Sequence, residues 1–81
     1  MNSGRKKVQY VDKFNRILLR QWLVEHGEYS IYKLSRLTGI AVSTIDHYKY
    51  LRSQKPPSLA NARKMASVMG VAENELFTLI E

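Results

Sequence analysis

The stretch Ser30 to Tyr50, SIYKLSRLTGIAVSTIDHYKY, leaves this chain few ways to fold. Read with a period of 3.6 residues, Ile31, Leu34 and Leu37 fall on one side of a short helix, and Val42, Ile45 and Tyr48 do the same on a second. Thr38-Gly39-Ile40 lies between them, and glycine takes the positive φ that ends a helix without steric cost. Two short amphipathic helices joined by a turn of three or four residues make a helix-turn-helix unit, whose second helix can lie in the DNA major groove. Spacing alone leaves it one αα-hairpin among many.

The flanking sequence supplies further helical periods. Val11, Phe14, Leu18 and Trp22, with Ile17 and Leu19 beside them, predict a first helix over Val11 to Glu25. Lys13, Arg16 and Arg20 then form its solvated face, and Trp22 is a core anchor. His26-Gly27 closes this helix, and Ser30 serves as N-cap of the next. The third helix runs from about Val42 to Tyr50. Pro56-Pro57 stops any helix and sets up Ser58 as a cap. Leu59, Ala62, Met65, Ala66 and Met69 make the buried stripe of a fourth helix ending at Gly70, and Glu73 to about Leu79 makes a short fifth. No strand pattern competes. The expectation is an all-α, five-helix domain over residues 11–81, preceded by a basic flexible arm over residues 1–10.

Charge narrows the partner. The 81 residues carry a formal net charge of +6. Met1 to Pro57 holds eleven Lys/Arg against four Asp/Glu, whereas Ser58 to Glu81 holds two against three. That asymmetry favours a polyanion contacted by the first two-thirds of the chain. Cysteine is absent, which removes disulfides and thiolate metal sites and suits a reducing compartment. No apolar run reaches the length of a membrane span, and the start MNSGRKKVQY lacks the apolar stretch of a secretory signal. A cytoplasmic protein is expected.

Particular residues add a likeness. Leu34, Ser35, Gly39, Ile40, Thr44, Ile45 and Tyr48 resemble the helix-turn-helix of the Cro- and lambda-repressor-like (XRE-type) family. Pro57-Ser58-Leu59, Ala66, Gly70-Val71 and Glu75-Leu76-Phe77 look like its fourth and fifth helices, so the match covers roughly Val11 to Phe77. The resemblance implies a lambda-repressor-like fold and sequence-specific binding of double-stranded DNA by a transcriptional regulator, a repressor of phage, plasmid or bacterial type. It further implies that Arg5, Lys6 and Lys7 act as an arm wrapping the duplex. The chain departs from the family at Ile31, where glutamine is common, and at Ala41, where serine usually caps the third helix.

With Ile45 inward, Val42, Ser43, Asp46 and His47 are the expected base-reading positions of a recognition helix over about residues 42–50. Phosphate contacts are expected from Tyr32, Lys33, Thr44, Lys49, Tyr50, Arg52, Ser53 and Lys55. Asp46 has a second reading, a surface pair with Lys49 or Tyr50. One short helix reads few base pairs, so a homodimer on half-sites about 34 Å apart is expected. Leu79 and Ile80 are candidate dimer contacts. Catalysis has no support: His26 and His47 lie in separate segments, and no HExxH, Walker loop or nucleophile elbow occurs. No metal, cofactor or small-molecule ligand is expected. The rival function is a protein–protein adaptor or antitoxin of the same fold, docking through Leu79-Ile80 or through Tyr29, Tyr32 and Tyr50.

Overall fold

The computed structural model describes residues 9–50 and 55–80. Its elements are β1 (Tyr10–Phe14), α1 (Arg16–Glu25), α2 (Ser30–Thr38), α3 (Val42–Tyr48), α4 (Leu59–Met69), α5 (Glu73–Leu76) and β2 (Phe77–Ile80). The five helices are present, but the fold is not all-α: β1 and β2 pair as a two-stranded antiparallel sheet.

The sheet overturns the long first helix and the long fifth one. Tyr10 pairs with Ile80, Val11 with Leu79, Lys13 with Thr78 and Phe14 with Phe77, and the register slips between Val11 and Lys13. A strand normally turns alternate residues to one face; an extra residue at a bulge resets that alternation. Val11 and Phe14, three apart, therefore both reach the core, Val11 buried and Phe14 half-buried. That spacing imitates a helical turn. On β2 the period is two: Phe77 is buried and Leu79 packs on the core, while Thr78 and Ile80 are exposed.

Asn15 makes the junction between strand and helix. Its side chain accepts from the Leu18 N–H at 3.0 Å as the N-cap of α1. Its backbone N–H donates to the Leu76 carbonyl at 2.7 Å and its Nδ2 to the Glu75 carbonyl at 3.2 Å. One residue thus starts α1 and satisfies the carbonyls that end α5. Ser30 is not a cap; it opens α2 from within, buried, and its Oγ donates to the Leu23 carbonyl at 2.6 Å.

Leu19, Leu34, Ile45, Met65 and Leu76 are the largest fully buried side chains, and Trp22 lies among them. α4 has the expected bounds, with Ser58 capping its start through the Asn61 N–H and Gly70 ending it at φ +72°. On α2 the inward residue of the last turn is Thr38, not Leu37, which is 53% exposed. Thr38 sits four residues after Leu34 on the core-facing stripe, and its hydroxyl is satisfied there by the Leu34 carbonyl at 2.7 Å. Among the described residues no helix is long and apolar enough to cross a membrane.

Candidate nucleic-acid interface

The turn between α2 and α3 is built from Gly39 outward. Gly39 takes φ +77° and its N–H donates to the Ser35 carbonyl at 2.8 Å, closing α2 in the left-handed conformation that glycine favours. The Thr38 hydroxyl accepts from the Ile40 N–H at 3.2 Å, and the Ser35 hydroxyl donates to the Ile40 carbonyl. Both polar groups of Ile40 are thereby held while its side chain enters the core. Three residues, Gly39 to Ala41, separate α2 from α3. Ala41 stands at its N-cap without a side-chain hydrogen bond.

α3 is shorter than expected, ending at Tyr48 with Lys49 as C-cap, so Tyr50 lies beyond it. Its inward side is Ile45 and Tyr48, and the Tyr48 hydroxyl accepts from Asn61 Nδ2 at 2.9 Å, tying α3 to α4. Ser43 and His47, four residues apart, are exposed on the opposite side. Val42, Thr44 and Asp46 are half-buried, and Asp46 pairs with Lys49 at 3.2 Å, the surface pair foreseen as its second reading. This i,i+3 pair is partly exposed and contributes little to stability, but it occupies both groups.

The end of α3 is held by α1. Arg16 Nη1 donates to the Tyr48 carbonyl and Nη2 to the Lys55 carbonyl at 2.9 Å; Arg20 Nη1 donates to the Lys49 carbonyl at 3.4 Å. Arg16 and Arg20 are therefore not a solvated face. A guanidinium offers five fixed donors and favours the carbonyl end of a helix, where peptide dipoles accumulate negative charge. Burial lowers the Arg16 pKa from the ordinary arginine value, yet the group stays charged. Its guanidinium carbon also lies 5.7 Å from the Phe14 ring centroid. Sequence reasoning missed Arg16 because nothing in a helical wheel reveals that the carbonyls of Tyr48 and Lys55 lie within reach.

Tyr29, the N-cap of α2, and Tyr32, Lys33 and Arg36 within it follow the i, i+3, i+4, i+7 rhythm and all are exposed. The rings of Tyr29 and Tyr32 are 6.4 Å apart. Neither Lys33 nor Arg36 has an ion-pair partner among the described residues. Arg36 is not among the phosphate contacts expected from the sequence. Ile31, at the position where glutamine was expected, packs half-buried on the core. Lys55 is exposed, with its carbonyl held by Arg16. Arg52 and Ser53, and the arm residues Arg5, Lys6 and Lys7, lie outside the described residues.

Of the two candidate dimer contacts, Leu79 turns to the core and Ile80 outward, opposite exposed Tyr10. No group of three His, Cys, Asp or Glu among the described residues could hold a metal ion. The chain matches no known protein-family model, no curated protein and no solved structure.

Proposed function

We propose that this protein is a cytoplasmic, non-enzymatic regulator that binds a short double-stranded DNA sequence through α3. The observation that carries the reading is a short helix gripped on one side by Ile45 and Tyr48, with Ser43 and His47 solvent-exposed on the other. An α-helix fits the major groove of B-DNA, and hydroxyl and imidazole groups can both donate to and accept from base edges. The preceding helix in such a unit crosses the backbone. Lys33 and Tyr32 are exposed on that helix, and uncompensated cations suit phosphate, which fixes register without reading sequence. Lys49 serves phosphate less well than expected, because Asp46 engages it. Resemblance to XRE-type repressors in Leu34, Gly39, Ile45 and their neighbours points the same way. Specific recognition by so small a module calls for two copies on a two-fold symmetric site.

Selection from random duplexes tests this reading, with His47→Ala as the discriminating variant. The expected result is a symmetric consensus for the native chain and relaxed preference at one or two base pairs per half-site for the variant, worth about 1–3 kcal/mol per position. Non-specific affinity should stay the same. Equal loss on every sequence would move His47 from base to backbone.

A second reading is favoured by Tyr29 at the start of α2 and by Tyr32 and Leu37 on it, all of which are exposed. Apolar and aromatic side chains on a helix suit a protein partner, and an adaptor using them would bind without regard to salt.

A further inference from the structure

α1 carries an apolar stripe that the fold leaves uncovered. Val24 is 81% exposed and Ile17 59%, seven residues apart on the side opposite buried Leu19, Trp22 and Leu23. Together with Arg20, Gln21 and Glu25 they make one continuous open patch along α1. Ile17, Gln21 and Val24 stand at the spacing of a coiled-coil seam, d, a and d, which makes Arg20 a g position and Glu25 an e position.

The flanks decide what could cover this seam. At 100° per residue, Arg20 stands about 60° to one side of the stripe and Glu25 about 80° to the other. In a parallel pair of identical helices the two-fold axis runs along the helices, so each flank meets the opposite flank of its partner. Arg20 of each copy then faces Glu25 of the other, as g and e residues do in parallel coiled coils. An antiparallel pair would set Arg20 against Arg20. Gln21 at the central a position is a polar residue of the kind that fixes register at some cost in affinity. The Arg20 bond to the Lys49 carbonyl is long at 3.4 Å and uses one of five donors, so the guanidinium can serve both contacts.

We propose that a second copy of this chain docks on α1 as a parallel two-fold helix pair, with Ile17, Gln21 and Val24 in the seam and two Arg20–Glu25 ion pairs across it. The self-association this gives is weak. Ten residues span about 15 Å, and each copy carries a net charge of +6 that opposes approach. A duplex neutralises that charge and holds two copies together, so the pairing strengthens on DNA. The interface goes beyond the DNA-binding reading and does not require it.

Because the chain has no cysteine, single thiols report the contact cleanly. Gln21→Cys should oxidise to a disulfide-linked dimer at least about tenfold faster than the exposed controls Tyr32→Cys and Ile80→Cys, in concentrated free protein or with duplex present. In the Gln21→Cys background, Arg20→Glu or Glu25→Arg should each slow cross-linking about tenfold, as loss of two ion pairs and gain of repulsion imply. The combined swap Arg20→Glu/Glu25→Arg should restore the rate, which only the parallel pairing predicts. All these side chains are exposed, and a cooperative thermal melt establishes that each variant folds, with a slightly lower midpoint expected for Arg20→Glu, which gives up the bond to the Lys49 carbonyl. Cross-linking of Gln21→Cys no faster than the controls in either condition, faster cross-linking through Ile80→Cys, or failure of the double swap to rescue would each overturn the proposal.

Discussion

Replacing Ile45 by alanine is expected to destabilise the domain by about 2–5 kcal/mol, the range for deleting a large aliphatic side chain from a close-packed core. Ile45 is wholly buried, at 0% exposure, and it is one of two residues that fix α3 against the rest of the molecule. A domain of this size holds only a small surplus of stability, so a loss of that size leaves much of the population unfolded. Denaturant titration followed by circular dichroism measures it. Ile45→Val should cost only about 0.5–1.5 kcal/mol and keep the outward face in place. The pair therefore separates fold from function: under the DNA-binding reading, Ile45→Val binds duplex like the native chain while Ile45→Ala loses affinity in proportion to the fraction unfolded. A full-length native melt for Ile45→Ala would mean that α3 packs less tightly than its burial indicates.

Arg16→Ala is expected to have the second largest effect, roughly 2–3 kcal/mol, because hydrogen bonds to charged groups are worth more than neutral ones and two carbonyls lose their partner. Those carbonyls belong to Tyr48 and Lys55, at the end of α3 and just before Pro56. Arg16→Lys should recover only part of the loss, since an ammonium cannot reproduce the planar fork that reaches both oxygens. Amide hydrogen exchange gives a local readout. Protection at Lys49 and Ile45 should fall in Arg16→Ala by more than global destabilisation accounts for. Uniform change across all five helices would reduce Arg16 to a general contributor.

These side chains illustrate what the sequence could and could not convey. The helix-turn-helix was legible because Leu34, Gly39 and Ile45 obey local rules, a stripe period and a positive-φ position, that do not depend on the remainder of the chain. α4 was legible for the same reason, bracketed by the Ser58 cap and the Gly70 stop. The sheet was not. A bulge between Val11 and Lys13 converts a strand's period of two into a spacing of three, which reads as helix until its partner β2 is known. Phe77-Thr78-Leu79-Ile80 is only four residues long, too short for its alternation to outweigh a neighbouring helical reading. The exposure of Ser43 and His47 on α3 followed from its period, though Val42 and Asp46, expected on the same side, are half-buried; the clamp by Arg16 depends on tertiary neighbours that periodicity does not encode.

The central claim is that the outward side of α3, with the cations around it, meets a nucleic-acid duplex. Titration of the folded chain with double-stranded DNA across a series of salt concentrations tests that most directly. Each phosphate contacted releases counterions, so log affinity should fall with log salt with a slope of roughly −4 or steeper for a footprint of several phosphates. Binding that ignores salt, or no binding to any duplex at low salt while the chain stays folded, would contradict it.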